Sequence, residues 1–232
     1  MKATELNKRP STATTLMLTA EKLFSLKGVD NVSTREIARE AGQKNNSALQ
    51  YHFGSKENLL NAILEFRSDE INKTRLEMLS ELEAAGLTRK PRALIEVICL
   101  PFINLLTLPL EDSYYIGLVH QMYNTATGKI AIEGVISEKQ NQTMGMWKTS
   151  QYILSAVEDV PPLLLLPRLS MMIHLTINTV AGWDAEQRQT NKCFPKEEIF
   201  LRSSNLIDFM EAGLTAGISR STSTLIVDLP DL

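Results

Sequence analysis

Cysteine is nearly missing from this chain: Cys99 and Cys193 are the only two in 232 residues. Two isolated cysteines build no disulfide framework and lack the paired spacing of a zinc site, so both read as free thiols. Histidine is as sparse. His52, His120 and His174 lie far apart, with no metal-type pair among them. No serine sits in a nucleophile elbow, and no glycine-rich loop of the phosphate-cradling kind occurs. These absences remove the usual signatures of hydrolases, nucleotide-binding enzymes and metalloenzymes. The expectation is a protein that is not an enzyme and needs no cofactor or metal. No stretch alternates apolar and polar residues long enough to make a strand. The amino terminus has no signal-peptide architecture, and apolar runs such as Leu163 to Leu166 fall far short of a bilayer. A cytoplasmic location with no membrane partner is therefore expected.

Charge of one sign is also lacking overall, with a net charge of -3. Its distribution is uneven. Residues 1 to 56 carry nine basic side chains against five acidic ones, leaving -7 for the remainder. A basic end on an acidic body suits nucleic-acid binding confined to that end, although a solvated surface would look similar. Hydrophobic residues make up 44%, enough for a substantial core.

The most informative stretch runs from Thr34 to Asn58. Thr34 and Glu36 stand where a cap and a first-turn carboxylate belong, and Ile37, Ala38 and Ala41 recur at helical spacing. Gly42 closes that helix. Asn46 or Ser47 caps a second one with Ala48, Leu49 and Phe53 on its apolar side; Gly54 stops it, and Ser55 caps the next. Two short helices joined by a glycine turn make a helix-turn-helix, whose second helix can enter the DNA major groove. Lys44, Asn45, Asn46, Ser47 and Gln50 can reach base edges, since lysine donates to guanine and asparagine or glutamine pairs with adenine. Tyr51, His52, Thr34 and Lys56, with Arg35 beside them, are placed for phosphates. The bland alternative makes His52 a cap or packing residue and Tyr51 a packing residue.

Ile37-Ala38, Ala41-Gly42, the run Tyr51 to Glu57 and Leu59-Leu60 resemble the amino-terminal signature of TetR-type repressors, specifically over residues 14 to 64. The distance from Gly42 to Phe53 is one residue longer than the family's usual spacing, so Gln50 stands where a tyrosine is common. The resemblance implies an all-α chain of about nine helices. A three-helix DNA-binding unit (1–56) would lead, through a long helix at about 56–85, into a larger ligand-binding and dimerisation domain (57–218) and a loose tail (219–232). It also implies a two-fold dimer joined by two helices from each chain.

The body alternates apolar helices with proline and glycine. Helices are expected over 91–107, kinked at Pro101, over 110–125, over 129–160, from Pro162 to Gln187, and after Pro195 to Ala216. Polar and aromatic side chains within them include Tyr114, Tyr115, His120, Tyr123, Trp147, Tyr152, His174, Asn178 and Trp183. An effector pocket is mostly apolar with a few oriented polar groups. The expected lining is Tyr114, His120, Tyr123, Trp147, Tyr152, Met171, His174 and Asn178, although each one singly also reads as core. Helices apolar on most sides need burial beyond their own domain edge. Leu169, Met172, Val180, Ile199, Leu206, Phe209 and Met210 are the expected dimer interface, with a central core helix as the alternative. The reading is a regulator that binds operator DNA as a homodimer, most simply a repressor released by a largely apolar small molecule. A regulator responding to a protein or to nothing, and more remotely a helical adaptor or enzyme, are its rivals.

Overall fold

The computed structural model describes residues 11–45, 47–124 and 144–228. All regular structure among them is helical. The helices are α1 (Thr12–Lys27), α2 (Thr34–Glu40), α3 (Ser47–Phe53), α4 (Lys56–Ala85), α5 (Pro91–Ile103), α6 (Tyr115–Tyr123), α7 (Met144–Ala156), α8 (Pro162–Thr190), α9 (Lys196–Thr215) and α10 (Arg220–Asp228). A 3₁₀ turn over Asn104–Thr107 follows α5.

Local chemistry sets most of these boundaries. Ser11 accepts from the Thr14 amide at the start of α1, and Ser55 accepts from the Asn58 amide at the start of α4. At α2 the cap is Ser33, which accepts from the Glu36 amide; Thr34, expected there, is the first helical residue. Gly86 ends α4 in the left-handed conformation (φ 68°), where a side chain would be strained. Pro101 was expected to kink a helix running to 107. The chain keeps Pro101 inside α5 and tightens into the 3₁₀ turn three residues later. Pro195 was expected at a first helical position and is the residue just before α9. The expected loose tail instead forms α10, whose side chains from Arg220 to Ile226 are exposed or partly so. The expected helix over 129–160 lies partly outside the described residues. Gly145 is a point of close approach: its amide donates to Asn72 Oδ1 at 2.7 Å, and an added Cβ would come within 2.8 Å of Arg75 Cβ.

α1 to α3 pack around Leu16, Phe24, Ile37 and Leu49, all 0% exposed. α1 also packs against α4 and α6, so the amino-terminal unit and the body share two helices. In the body, α4, α5 and α7 pack against one another, α9 lies against α5 and α8, and α8 also lies against α6. Contrary to the expectation from apolar runs, α8 contains an 18-residue window with mean hydropathy 1.4, the length and composition of a membrane span. Its Leu165, Leu169, Ile173 and Val180 are buried within the chain, as in a core helix.

Candidate DNA interface and body cavity

The turn between α2 and α3 begins on Gly42 (φ 72°), and the Gln43 amide donates to Ala38 O. α3 is anchored by the buried Leu49 and the half-buried Phe53. One side of α3 then faces outward. Ser47, Gln50, Tyr51 and His52 are exposed, Tyr51 to 85%. The Tyr51 and His52 rings meet edge to face at 5.0 Å. Asn45 accepts from the Ser47 amide at 3.0 Å, which commits its carbonyl oxygen to starting α3. Lys44 and Arg35 are exposed, and Thr34 is partly buried. Asn46 lies outside the described residues.

Lys56 differs from expectation. Its ammonium donates to Val29 O at 3.0 Å and to Val32 O at 3.2 Å, pinning the start of α4 to the α1–α2 loop. Two of its three protons are thus engaged inside the protein, and its first role is structural. Lys27 is likewise occupied: it pairs with Glu36 at 2.6 Å and, by that bond, holds the Glu36 carboxyl below its ordinary pKa.

The joint between the two units is built on a buried ion pair. Arg67 of α4 donates to both carboxylate oxygens of Glu21 in α1, at 2.8 and 3.1 Å. Arg67 also donates to Asp112 O, and Glu21 accepts from the Tyr114 amide at 2.6 Å. Next to it Gly117 of α6 lies so close to α1 that a Cβ there would meet Ser25 Oγ at 2.2 Å.

A cavity of about 140 Å³ lies in the body between five helices. α4 contributes Ser68, Ile71 and Arg75, α5 Ile98 and Phe102, α6 Tyr115 and Val119, α7 Met146, and α8 Ile173, Thr176 and Ile177. None of the eight expected lining residues is among them; of the wider set only Tyr115 is. Tyr115, Val119, Met146, Ile173 and Ile177 stand one position from Tyr114, His120, Trp147, His174 and Asn178, so this cavity lies on a neighbouring face of the same helices. Tyr114 lies under the Arg188 guanidinium at 4.1 Å. His120 is partly buried, and its carbonyl accepts from the Asn124 side chain. Tyr123 and His174 stack edge to face at 4.2 Å. Tyr152 donates to Glu83, and that bond raises its pKa. Trp147 is partly buried beside the cavity's Met146. Asn178 is exposed and donates to His174 O, and Met171 is 66% exposed.

Of the expected interface residues, Leu169, Met172, Val180, Ile199, Leu206 and Met210 are buried within the chain, and Met172 and Met210 line a groove at its surface. Phe209 is 68% exposed. It shares with Met171, Leu175 and Gly213 a shallow groove between α8 and α9. Patterning showed two helices too apolar for one side, but not which stripe the chain covers itself.

Residues 16–63 match the family model for bacterial regulatory proteins of the tetR family. The amino-terminal unit is of the TetR type. A TetR family transcription regulator from Marinobacter aquaeolei VT8 shares the fold, with TM-score 0.53 and 18% identity, over 85% of this chain and 94% of that one. So does a Clostridium perfringens protein with the provisional description of a fatty acid metabolism regulator, with TM-score 0.51 and 17% identity, over 88% and 98% of the two chains. No curated protein sequence matches the chain. The matched stretch takes in the helix-turn-helix, in which α3 is the second helix and has one exposed face.

Proposed function

We propose that this regulator is a ligand-responsive repressor: a two-fold dimer that leaves its operator when a small, largely apolar molecule fills the cavity between α4 and α8. One observation carries the reading. Two of the helices that wall the cavity, α4 and α6, are the same two that hold α1 of the DNA-binding unit. A ligand pressing on Ile71 and Tyr115 therefore acts on the helices that bear Arg67 and Gly117, which grip Glu21 and Ser25. Only a ligand that binds one arrangement better than the other shifts the balance, and such couplings amount to about 1–3 kcal/mol. Exposed Phe209 and Met171 supply the apolar contact for the second copy, and a two-fold dimer then presents two α3 helices to a roughly palindromic site.

The test uses a duplex selected from random sequence by the wild-type protein. Apolar compounds that raise its thermal midpoint are titrated against the bound duplex. Ile177→Trp fills the cavity; it should keep DNA affinity and lose release. A compound that releases wild type and Ile177→Trp alike would place the effector elsewhere.

A further inference from the structure

Arg75 sits in the cavity wall in a state unlike its neighbours. Its Nε and Nη2 both donate to a single backbone oxygen, Ile98 O, at 3.3 and 3.0 Å. A guanidinium carries five N–H donors, so most of its capacity is unspent. Arg67, Arg92, Arg188 and Arg202 each hold a carboxylate. Among the described residues Arg75 holds none. A charge withdrawn from water without a counter-ion is costly, and desolvation lowers the pKa of Arg75 to about 10. It remains charged at neutral pH. Tyr115, on the facing helix, is also a donor: burial pushes its hydroxyl up to about 12, so it stays protonated. Its hydroxyl has no hydrogen-bond partner among the described residues. The Thr176 hydroxyl, by contrast, is spent on Met172 O. The remaining wall is apolar, chiefly Ile71, Phe102, Val119, Ile173 and Ile177.

We propose that the effector is an apolar monocarboxylic acid, its carboxylate held by Arg75 and Tyr115 and its hydrocarbon part lying among the isoleucines. This rests on the cavity being the effector site. One guanidinium neutralises one negative charge, which disfavours a phosphate dianion. A cation would be repelled, and a neutral alcohol would leave the arginine uncompensated. A carboxylate accepts two parallel bonds from a guanidinium, the strongest pairing that side chain makes. Apolar cavities of about this volume accept a benzene ring, so an apolar part of about six carbons fits.

The experiment measures binding of benzoate and hexanoate, and of benzyl alcohol and 1-hexanol, to the full chain by calorimetry. It compares wild type, Arg75→Gln, Arg75→Lys and Ile177→Trp. The acids should bind wild type about 10- to 100-fold tighter than the matching alcohols. Arg75→Gln should erase that preference and keep the alcohol affinity, which also shows that it folds; Arg75→Lys should retain part of it. Ile177→Trp should bind neither class. Equal binding of acids and alcohols to wild type, or an acid preference surviving in Arg75→Gln, overturns the acid assignment alone. No binding by either class, or binding that survives Ile177→Trp, overturns the cavity reading and the acid assignment with it.

Discussion

Two arginines of α4, two helical turns apart, receive opposite treatment. Arg67, at the end nearer the DNA-binding unit, is surrounded: two carboxylate oxygens of Glu21 and the Asp112 carbonyl accept from it. Arg75, at the end inside the body, has one carbonyl and an apolar cavity. Both belong to one stripe, in which Leu59, Ile63, Arg67, Ile71, Arg75 and Leu79 follow one another at four-residue steps along α4. A saturated arginine fixes a joint. An unsaturated one keeps binding capacity in reserve. The same helix thus carries a structural cation toward the amino-terminal unit and a receptive cation toward the cavity, and each can be tested separately.

The largest contrast should appear on removing charge at each place. Glu21→Ala leaves Arg67 buried without its acid, and losing one partner of a buried pair costs about 3–5 kcal/mol. Arg75→Met removes a buried charge that has no acid, so the cost of one carbonyl bond is offset by the desolvation it relieves. Its effect should stay within about 1 kcal/mol of wild type. Urea unfolding at one fixed protein concentration reads both. Similar losses for the two variants would erase the distinction between the arginines.

Steric pressure should give the next largest effects. Gly145→Ala drives a methyl against Arg75 Cβ, Asn72 Oδ1 and, at 3.3 Å, the Asn72 carbonyl. It should cost about 1–3 kcal/mol as an overpacked contact. Gly117→Ala meets mainly Ser25 Oγ, the tip of a small rotatable side chain, and should cost less. Ser25→Ala introduced with it should recover most of that loss. If Gly117→Ala were the worse of the two and unrescued, the α1–α6 contact would be a tighter joint than the α4–α7 contact, reversing the expected order.

Lys56 extends the comparison to the start of α4. Its two carbonyl bonds make it a fastener, so Lys56→Met should cost about 1–2 kcal/mol of stability. It should also alter the salt dependence of DNA binding less than Arg35→Ala, which is expected to lower the slope by about one. A larger slope change for Lys56→Met would restore it as a phosphate contact.

The sequence disclosed the amino-terminal unit almost completely because its information is local. A glycine at a positive φ, a serine accepting an amide three residues on, and an apolar residue every third or fourth position each act within one turn of chain. The body was legible as helices but not as faces. Tyr114 and Tyr115 are chemically alike, and only the packing of α6 against α1 and α8 turns the second into the cavity and the first under Arg188. Polar aromatics within apolar helices were one signal of a pocket, and a charge within an apolar stripe was the stronger one. Arg75 carries it, at four-residue spacing from Ile71 and Leu79. Glu21, the partner that separates Arg67 from Arg75, lies 46 residues away, beyond any local pattern.

The smallest expected effect concerns a third kind of ion pair, one left in water. Lys27 at the end of α1 and Glu36 in the first turn of α2 meet at 2.6 Å, and the lysine's bond holds the Glu36 carboxyl below its ordinary value of 4.5. A carboxyl whose pKa is lower folded than unfolded contributes stability that is fully present above the unfolded value. That contribution is lost as pH falls through the lowered folded value. Solvent screens this pair as it does not screen Glu21 and Arg67, so its contribution is small. Glu36→Gln should therefore be slightly less stable than wild type at about pH 6, and the gap should narrow steadily toward about pH 3. The check is the difference in urea midpoint between the two proteins across that range. A gap that stays constant would mean that Glu36 acts through helix packing and not through its charge. A gap as large as that of Glu21→Ala would mean that exposure does not separate the pair between α1 and α2 from the pair between α1 and α4.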